Sequence, residues 1–268
     1  MQVRIGLYED IVHRVTILCK MLQIKTGNRL FEKGRPLAIN VNDILALSLF
    51  KQQAGIPTKI TVYRMFILNC SYKTFVVNVN RCSLLATRIL MILIKLNQPK
   101  AHPIKHTDST DIPVSSVRKA AKHKTMKFFA RWGKTGKGWF YGLKLHITAD
   151  LSGKLLALKL TPGNTDDRKV FFALNKDLDG FFITDAGYIS KELEKAFDNE
   201  KRIILAIPRA NMKKLLTEWQ YTMIQTRMRI ELHFRNLKLF YGLITNMPRS
   251  DNGYFANYLY SILAYLVV

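Results

Sequence analysis

From about residue 103 onward, short β-prone runs alternate with helix-periodic segments, and this order constrains the fold more than any other feature. "HPIKHTDSTDIPV" reads as a short extended segment. "GWFYGLKLHITAD" and "GKLLALKLTPGN" are β-rich runs joined by "ADLSGK", where Asp150 and Gly153 supply turn chemistry. "DDRKVFFALNKDL" reads as a helix capped by Thr165 or Asp166, "GFFITDAGYI" as a strand, and "SKELEKAFDNE" as a helix opening at Ser190. "KRIILAIPR" is a further strand, and "TEWQYTMIQTRMRIELHFRNLKLFYG" predicts one long amphipathic helix ending at Gly242. The order β, β, β, α, β, α, β, α predicts an α/β fold of the α+β type, a mixed sheet flanked by helices.

Residues 1 to about 100 read differently. "VNDILALSLFKQQAG" has helical spacing, with Asn42 or Asp43 as cap and Gly55 as stop. "TRILMILIKLNQP" predicts another helix, ended by Pro99. The expected organisation is therefore a helical N-terminal region over 1–100, a mixed-sheet domain over 101–248, and an apolar C-terminal helix over 249–268. The N-terminal region carries 15 Lys and Arg against 4 Asp and Glu, so a DNA-binding role and a plain helical scaffold are equally compatible with it.

Charge narrows the partner. The net charge is +23 over 268 residues, with a pI near 10.0, which favours a polyanion. Nucleic acid is preferred over an anionic membrane. The apolar run at 84–96 is broken by Arg88 and Lys95, and the start shows no signal peptide. Three cysteines, none in a C-x-x-C pair, argue against a disulfide framework or a cysteine zinc site and fit a reducing compartment. No phosphate-binding P-loop, nucleophile elbow or H-E-x-x-H helix is present.

Against this basic background three acids stand out: Asp108, Asp185 and Glu231. Asp185 lies 77 positions after Asp108, and Glu231 a further 46 on. The first two follow short apolar or β-prone stretches and the third sits in a helix-periodic stretch. Carboxylates converging from separate elements can hold divalent ions for phosphodiester chemistry. Asp111 is three residues from Asp108, so in a strand it points to the other face. Asp166 and Asp167 read first as helix caps, Asp150 as a turn residue, His146 as a hydrogen-bonded structural histidine or a residue facing the site, and Tyr188 as packing. Between Arg118 and Lys137 there are eight Lys and Arg and no acid. Lys124, Lys127, Arg131, Lys134 and Lys137 are candidates for phosphate contact, and the interleaved Phe128, Phe129 and Trp132 for base stacking or core packing. Gly133, Gly136 and Gly138 predict a segment that stays mobile until DNA binds.

Taken in order, "DSTDIPV", "GWFYGLKLH", "LTPGNTDDR", "DAGYIS" and "RMRIELHFRNLK" resemble the DDE transposases of bacterial insertion sequences, and within them insertion-sequence group 982. The resemblance covers roughly 104–248. It implies a ribonuclease-H-like core with Asp108 on the first strand, Asp185 at the end of the fourth and Glu231 on the closing helix. It further implies two Mg²⁺ ions, replaceable by Mn²⁺, cleavage at transposon ends, strand transfer into target DNA, and a homodimer or higher assembly acting in the bacterial cytoplasm at the nucleoid. Related enzymes carry Tyr-x2-Arg-x3-Glu-x6-Lys. Arg227, Glu231 and Lys238 fit that spacing, while Ile224 occupies the tyrosine position. On a helix Arg227, Glu231, Arg235 and Lys238 share one face, and the three cations become candidate DNA contacts. A stand-alone nuclease of the same core and an inactive DNA-binding relic are the alternatives, the latter because the sequence ends inside an apolar stretch.

Overall fold

The computed structural model describes residues 2–24, 26–29, 36–188, 190–199, 201–207 and 216–267. The chain divides into two compact units, residues 1–92 with 236–268, and residues 93–235.

The first unit is helical. It contains α1 (Gln2–Met21), α2 (Val41–Gln53), α3 (Lys59–Met65), most of α4 (Tyr72–Asn97) and the C-terminal α9 (Asp251–Leu266). The cap of α2 is Asn40, not Asn42 or Asp43. Its side chain accepts from the Asp43 N–H at 2.8 Å. Val41 is fully buried, and the helix begins there, two or three residues earlier than a cap at Asn42 or Asp43 would place it. Gly55 stops it as expected, with φ of +62° just past the C-cap. Helix α2 is apolar nearly all round and sits in the core, Ile44, Leu45, Leu47, Leu49 and Phe50 being buried. The other wall comes from Tyr254, Tyr258, Tyr260 and Ile262 of α9. Helix α4 is long and apolar enough to cross a membrane. In this fold Phe75, Val79, Cys82, Ala86, Ile89, Leu90 and Ile94 form its buried stripe, at the three- and four-residue spacing of a core-facing helix.

The second unit holds the expected mixed sheet. Its elements are β1 (Ile104–Ser115), β2 (Arg131–Thr135), β3 (Gly138–Asp150), β4 (Leu155–Pro162), α5 (Asp167–Asn175), β5 (Gly180–Thr184), α6 (Lys191–Phe197), β6 (Arg202–Ala206), α7 (Glu218–Gln225) and the start of α8 (Met228–Leu239). Strand β1 is central. It runs antiparallel to β3 and parallel to β5, which is parallel to β6. Both β2 and β4 pair with β3, toward its two ends. The β3–β4 hairpin turns where Asp150 accepts the N–H groups of Lys154 (2.9 Å) and His102 (2.9 Å), and Gly153 adopts φ of +88°. Beneath β5 an aromatic core forms from Phe171, Phe182, Tyr188 and Phe197 with Leu156, Leu178, Leu193 and Ile204.

Two expectations change. The basic segment is not a loose loop, because residues 131–135 form strand β2. Gly133 sits inside it, where a Cβ would collide with the Gly163 carbonyl oxygen and the Phe140 ring, so glycine here serves close packing. Met126, fully buried with φ of +64°, accepts the N–H groups of Phe129 and Ala130 through its carbonyl and anchors the approach to the strand. The long closing helix is also two helices, broken at Thr226 and Arg227. The Thr226 N–H turns back to the carbonyls of Met223 and Ile224. Its hydroxyl lies 2.6 Å from the Met223 oxygen and 2.7 Å from Nε2 of buried His106. That side-chain anchoring breaks the helix without Gly or Pro.

Candidate active site

Asp108 lies in β1 just beyond the stretch that pairs with β5, and Asp185 directly follows β5. The parallel pairing of β1 with β5 brings the two acids to one cleft of about 530 Å³. Because β2 adds a strand, Asp185 ends the fifth strand rather than the fourth. Asp167, Lys144, Tyr188, Trp132, Lys134 and Trp139 line the same cleft.

The Asp108 carboxylate accepts the Ser109 N–H at 2.7 Å through Oδ1, while its Oδ2 lies 3.3 Å from the Arg227 guanidinium. Burial pushes its pKa up to about 7; the Ser109 N–H and Arg227 pull it down, and the charges of Asp185 and Asp167 raise it again. Asp185 is exposed and accepts the Ala186 N–H at 2.7 Å. Glu231, on the first turn of α8, pairs with Arg227 at 2.9 Å and is half exposed. Arg227 therefore stands between Asp108 and Glu231, one N–H group on each. Among the described residues no three His, Cys, Asp or Glu side chains gather tightly enough to hold a metal ion. The donor chemistry of Asp108 and Asp185 nevertheless fits a divalent cation. A buried carboxyl whose pKa two neighbouring carboxylates help raise is stabilised by positive charge, and oxygen donors suit Mg²⁺. Glu231 does not line this cleft and is linked to Asp108 through Arg227.

The helix break explains Arg227. It places this residue ahead of α8, one turn from Glu231, with its side chain reaching back to β1. Ile224, at the tyrosine position of the motif, is buried, and its carbonyl accepts the N–H groups of Thr226 and Arg227. Arg235 is exposed on α8 and Lys238 half-buried.

The sequence reads both Asp166 and Asp167 as caps, but only Asp166 caps α5, accepting the Arg168 N–H at 2.9 Å and pairing with its guanidinium at 2.8 Å. Asp167 instead faces the cleft, where Lys144 Nζ donates to it at 2.9 Å and to the Thr165 carbonyl at 3.0 Å. The only sequence signal is the doublet itself, since one helix start needs a single cap. His146 is buried, with Nε2 2.8 Å from the Thr161 hydroxyl and Nδ1 3.9 Å from Asp167. Burial lowers its pKa to about 4 against the opposing pull of Asp167, so it is a neutral structural histidine. Asp111 lies opposite Lys144 in the β1–β3 register and outside the cleft lining. Tyr188 packs against Phe171 at 5.6 Å and borders the cleft.

Of the candidate DNA contacts, Lys124, Lys127, Arg131, Lys134 and Lys137 are all exposed. Lys134 lies 5.8 Å over the Trp139 ring at the cleft. Arg131 donates to the carbonyls of Lys127 (3.0 Å) and Ala130 (2.8 Å). Phe128 and Trp139 are largely exposed and Trp132 and Phe129 partly so, so none of these aromatics is a fully buried core residue.

Comparison with known proteins agrees with this architecture. A solved structure described as a cryo-EM structure of the piggyBac transposase synaptic complex with hairpin DNA shares the fold, with a TM-score of 0.53 and 11% identity over 98% of this chain and 74% of that one. No curated protein matches the sequence. Residues 98–247, more than half of the chain, match the family model described as "Transposase DDE domain". The chain belongs to the DDE-domain transposase family.

Proposed function

We propose that this protein is an insertion-sequence transposase that cleaves DNA at the ends of its element and joins them to target DNA. The observation that carries the proposal is the opening of Asp108 and Asp185 onto one cleft, with Glu231 a single guanidinium away from Asp108. Asp108, Asp185 and Glu231 would hold two Mg²⁺ ions, which Mn²⁺ can replace. Bound ions of this kind activate a water or a 3′-hydroxyl and stabilise the leaving oxygen.

The chain's own residues prepare this chemistry. Arg227 neutralises Asp108 and Glu231 until a DNA phosphate competes for its guanidinium, an exchange its fork geometry suits. Lys144, held by Asp167, presents a further cation to the cleft. Lys134 and Arg131 follow the backbone along β2, and Lys124, Lys127 and Lys137 extend the basic surface. Arg235 and Lys238 do the same on α8. Exposed Trp132 and Trp139 offer stacking surfaces for unpaired bases beside the acids. The shared-fold piggyBac structure is a synaptic complex with hairpin DNA, which supports a DNA partner here; an assembly of two or more copies on that DNA is part of the proposal. The bacterial nucleoid is the corresponding place of action, and the helical unit is proposed as an additional DNA-binding surface.

Incubating the protein with end-bearing DNA and Mg²⁺ tests this directly. End-specific cleavage followed by strand joining is expected. Cleavage without joining would reassign the protein as a nuclease, and retention of DNA without cleavage would leave only a binding protein.

A further inference from the structure

The helical unit contains a second polar site, apart from the acidic cleft. Lys51 of α2 is buried, and Lys59 of α3 is half-buried. Both line a small cavity with Ser48, Gln52, Asn257 and Tyr260, closed by Leu47, Val62, Phe75 and Val79. Among the described residues neither lysine has an acidic partner. The Lys51 ammonium has two acceptors, Gln52 Oε1 and Asn257 Oδ1, each at 3.4 Å. These are long for a charged donor, whose bonds run at about 2.7–2.9 Å. Asn257 Oδ1 is also shared with Gln52 Nε2 at 3.0 Å, while Asn257 Nδ2 donates to the Gly242 carbonyl at 2.9 Å and so holds the amide in place. Lys59 donates to Asn80 Oδ1 at 2.6 Å.

Two ammonium groups in one small, mostly buried cavity are costly to hold without a counter-charge. Burial lowers both pKa values to about 8, and the charge of Lys51 depresses Lys59 further. The two groups thus interact electrostatically, and at neutral pH both remain mainly protonated. The free space is about 10 Å³, close to the ~10–15 Å³ that a single water needs. It encloses at most one atom-sized group and is too small to take in a whole nucleotide.

We propose that this cavity is an anion site, in which Lys51 and Lys59 clasp one negatively charged atom: a free halide ion or a single phosphodiester oxygen. The site leaves the transposase chemistry untouched and supplies the counter-charge that the helical core lacks.

The test compares thermal unfolding of the full chain in potassium chloride and potassium gluconate at equal ionic strength and neutral pH. Chloride is expected to raise the melting temperature in a concentration-dependent way, as a ligand of the native state does. Lys51→Met is expected to lose that response, and Lys59→Met serves as the readout if Lys51→Met does not fold. Crystals soaked in bromide are expected to show an anomalous peak beside Lys51 Nζ. A duplex added in gluconate separates the two sources: stabilisation that depends on Lys51 and appears only with DNA identifies a phosphodiester oxygen. Identical melting in both salts with no bromide peak and no Lys51-dependent response to DNA would overturn the proposal.

Discussion

Arg227 touches two of the three acids proposed to hold metal, lying 3.3 Å from Asp108 and 2.9 Å from Glu231. Asp108→Asn, Asp185→Asn and Glu231→Gln are each expected to reduce end cleavage to background while leaving DNA retention in a gel-shift assay largely intact. Near-normal cleavage by any one of them would remove that residue from the site. Asp167→Asn keeps an oxygen for Lys144 but loses the charge. As a group that orients a neighbour rather than reacting, it is expected to lower the cleavage rate by about 10–100-fold, and the loss should appear in turnover rather than in DNA affinity. His146 supplies a pH prediction. Its native pKa lies near 4 because of burial, below its ordinary 6.5, so the unfolded chain binds a proton first as pH falls. Its contribution to stability is complete above about pH 6.5 and is lost as pH drops toward 4, at most about 3 kcal/mol. Urea unfolding at neutral pH and at about pH 4.5, within that window, should show the loss, and His146→Gln should reduce it.

The break between α7 and α8 decides where Arg227 points, and Thr226 makes the break. Thr226→Val removes the hydroxyl that meets buried His106 at 2.7 Å and the Met223 carbonyl at 2.6 Å. Leaving the imidazole nitrogen unpaired should cost roughly 1–3 kcal/mol in urea unfolding and lower cleavage through misplacement of Arg227; unchanged stability and activity would contradict this role. The break is hidden in the sequence because Thr226 sits mid-pattern with no Gly or Pro nearby. Other elements are legible. The β3–β4 hairpin follows from alternation around Asp150 and Gly153, and α5 and α6 follow from caps at Asp166 and Ser190. Strand β2 is not legible, since Trp132, Gly133 and Lys134 read as a basic loop until β3 pairs with them. The cap of α2 is easily misplaced because Asn40 precedes an apolar residue, Val41, that only burial marks as helical. For the site, the acids are legible one by one, but the meeting of Asp108 and Asp185 depends on the parallel β1–β5 pairing between distant segments. Asp167 is obscured by its neighbour Asp166.

At the scale of the molecule, a net charge of +23 would, on the proposed reading, govern how the protein meets DNA. On the proposed reading, the exposed cations of the β2 region and α8 would bind phosphates by releasing counterions. The logarithm of DNA affinity should therefore fall linearly with the logarithm of salt concentration, and removing Lys124, Lys127 and Lys137 together should flatten the slope. A salt-independent affinity would contradict the phosphate-contact account. The sheet in the second unit positions Asp108 and Asp185, and the basic strand β2 borders the same cleft, so on the proposed reading binding and chemistry would converge on one surface of that unit. The most direct measurement is anomalous diffraction from a Mn²⁺-soaked complex of the protein with end DNA. Manganese peaks bounded by Asp108, Asp185 and Glu231 are expected, with Arg227 turned onto a phosphate. Manganese bound elsewhere, with Arg227 still clamped between Asp108 and Glu231, would contradict it.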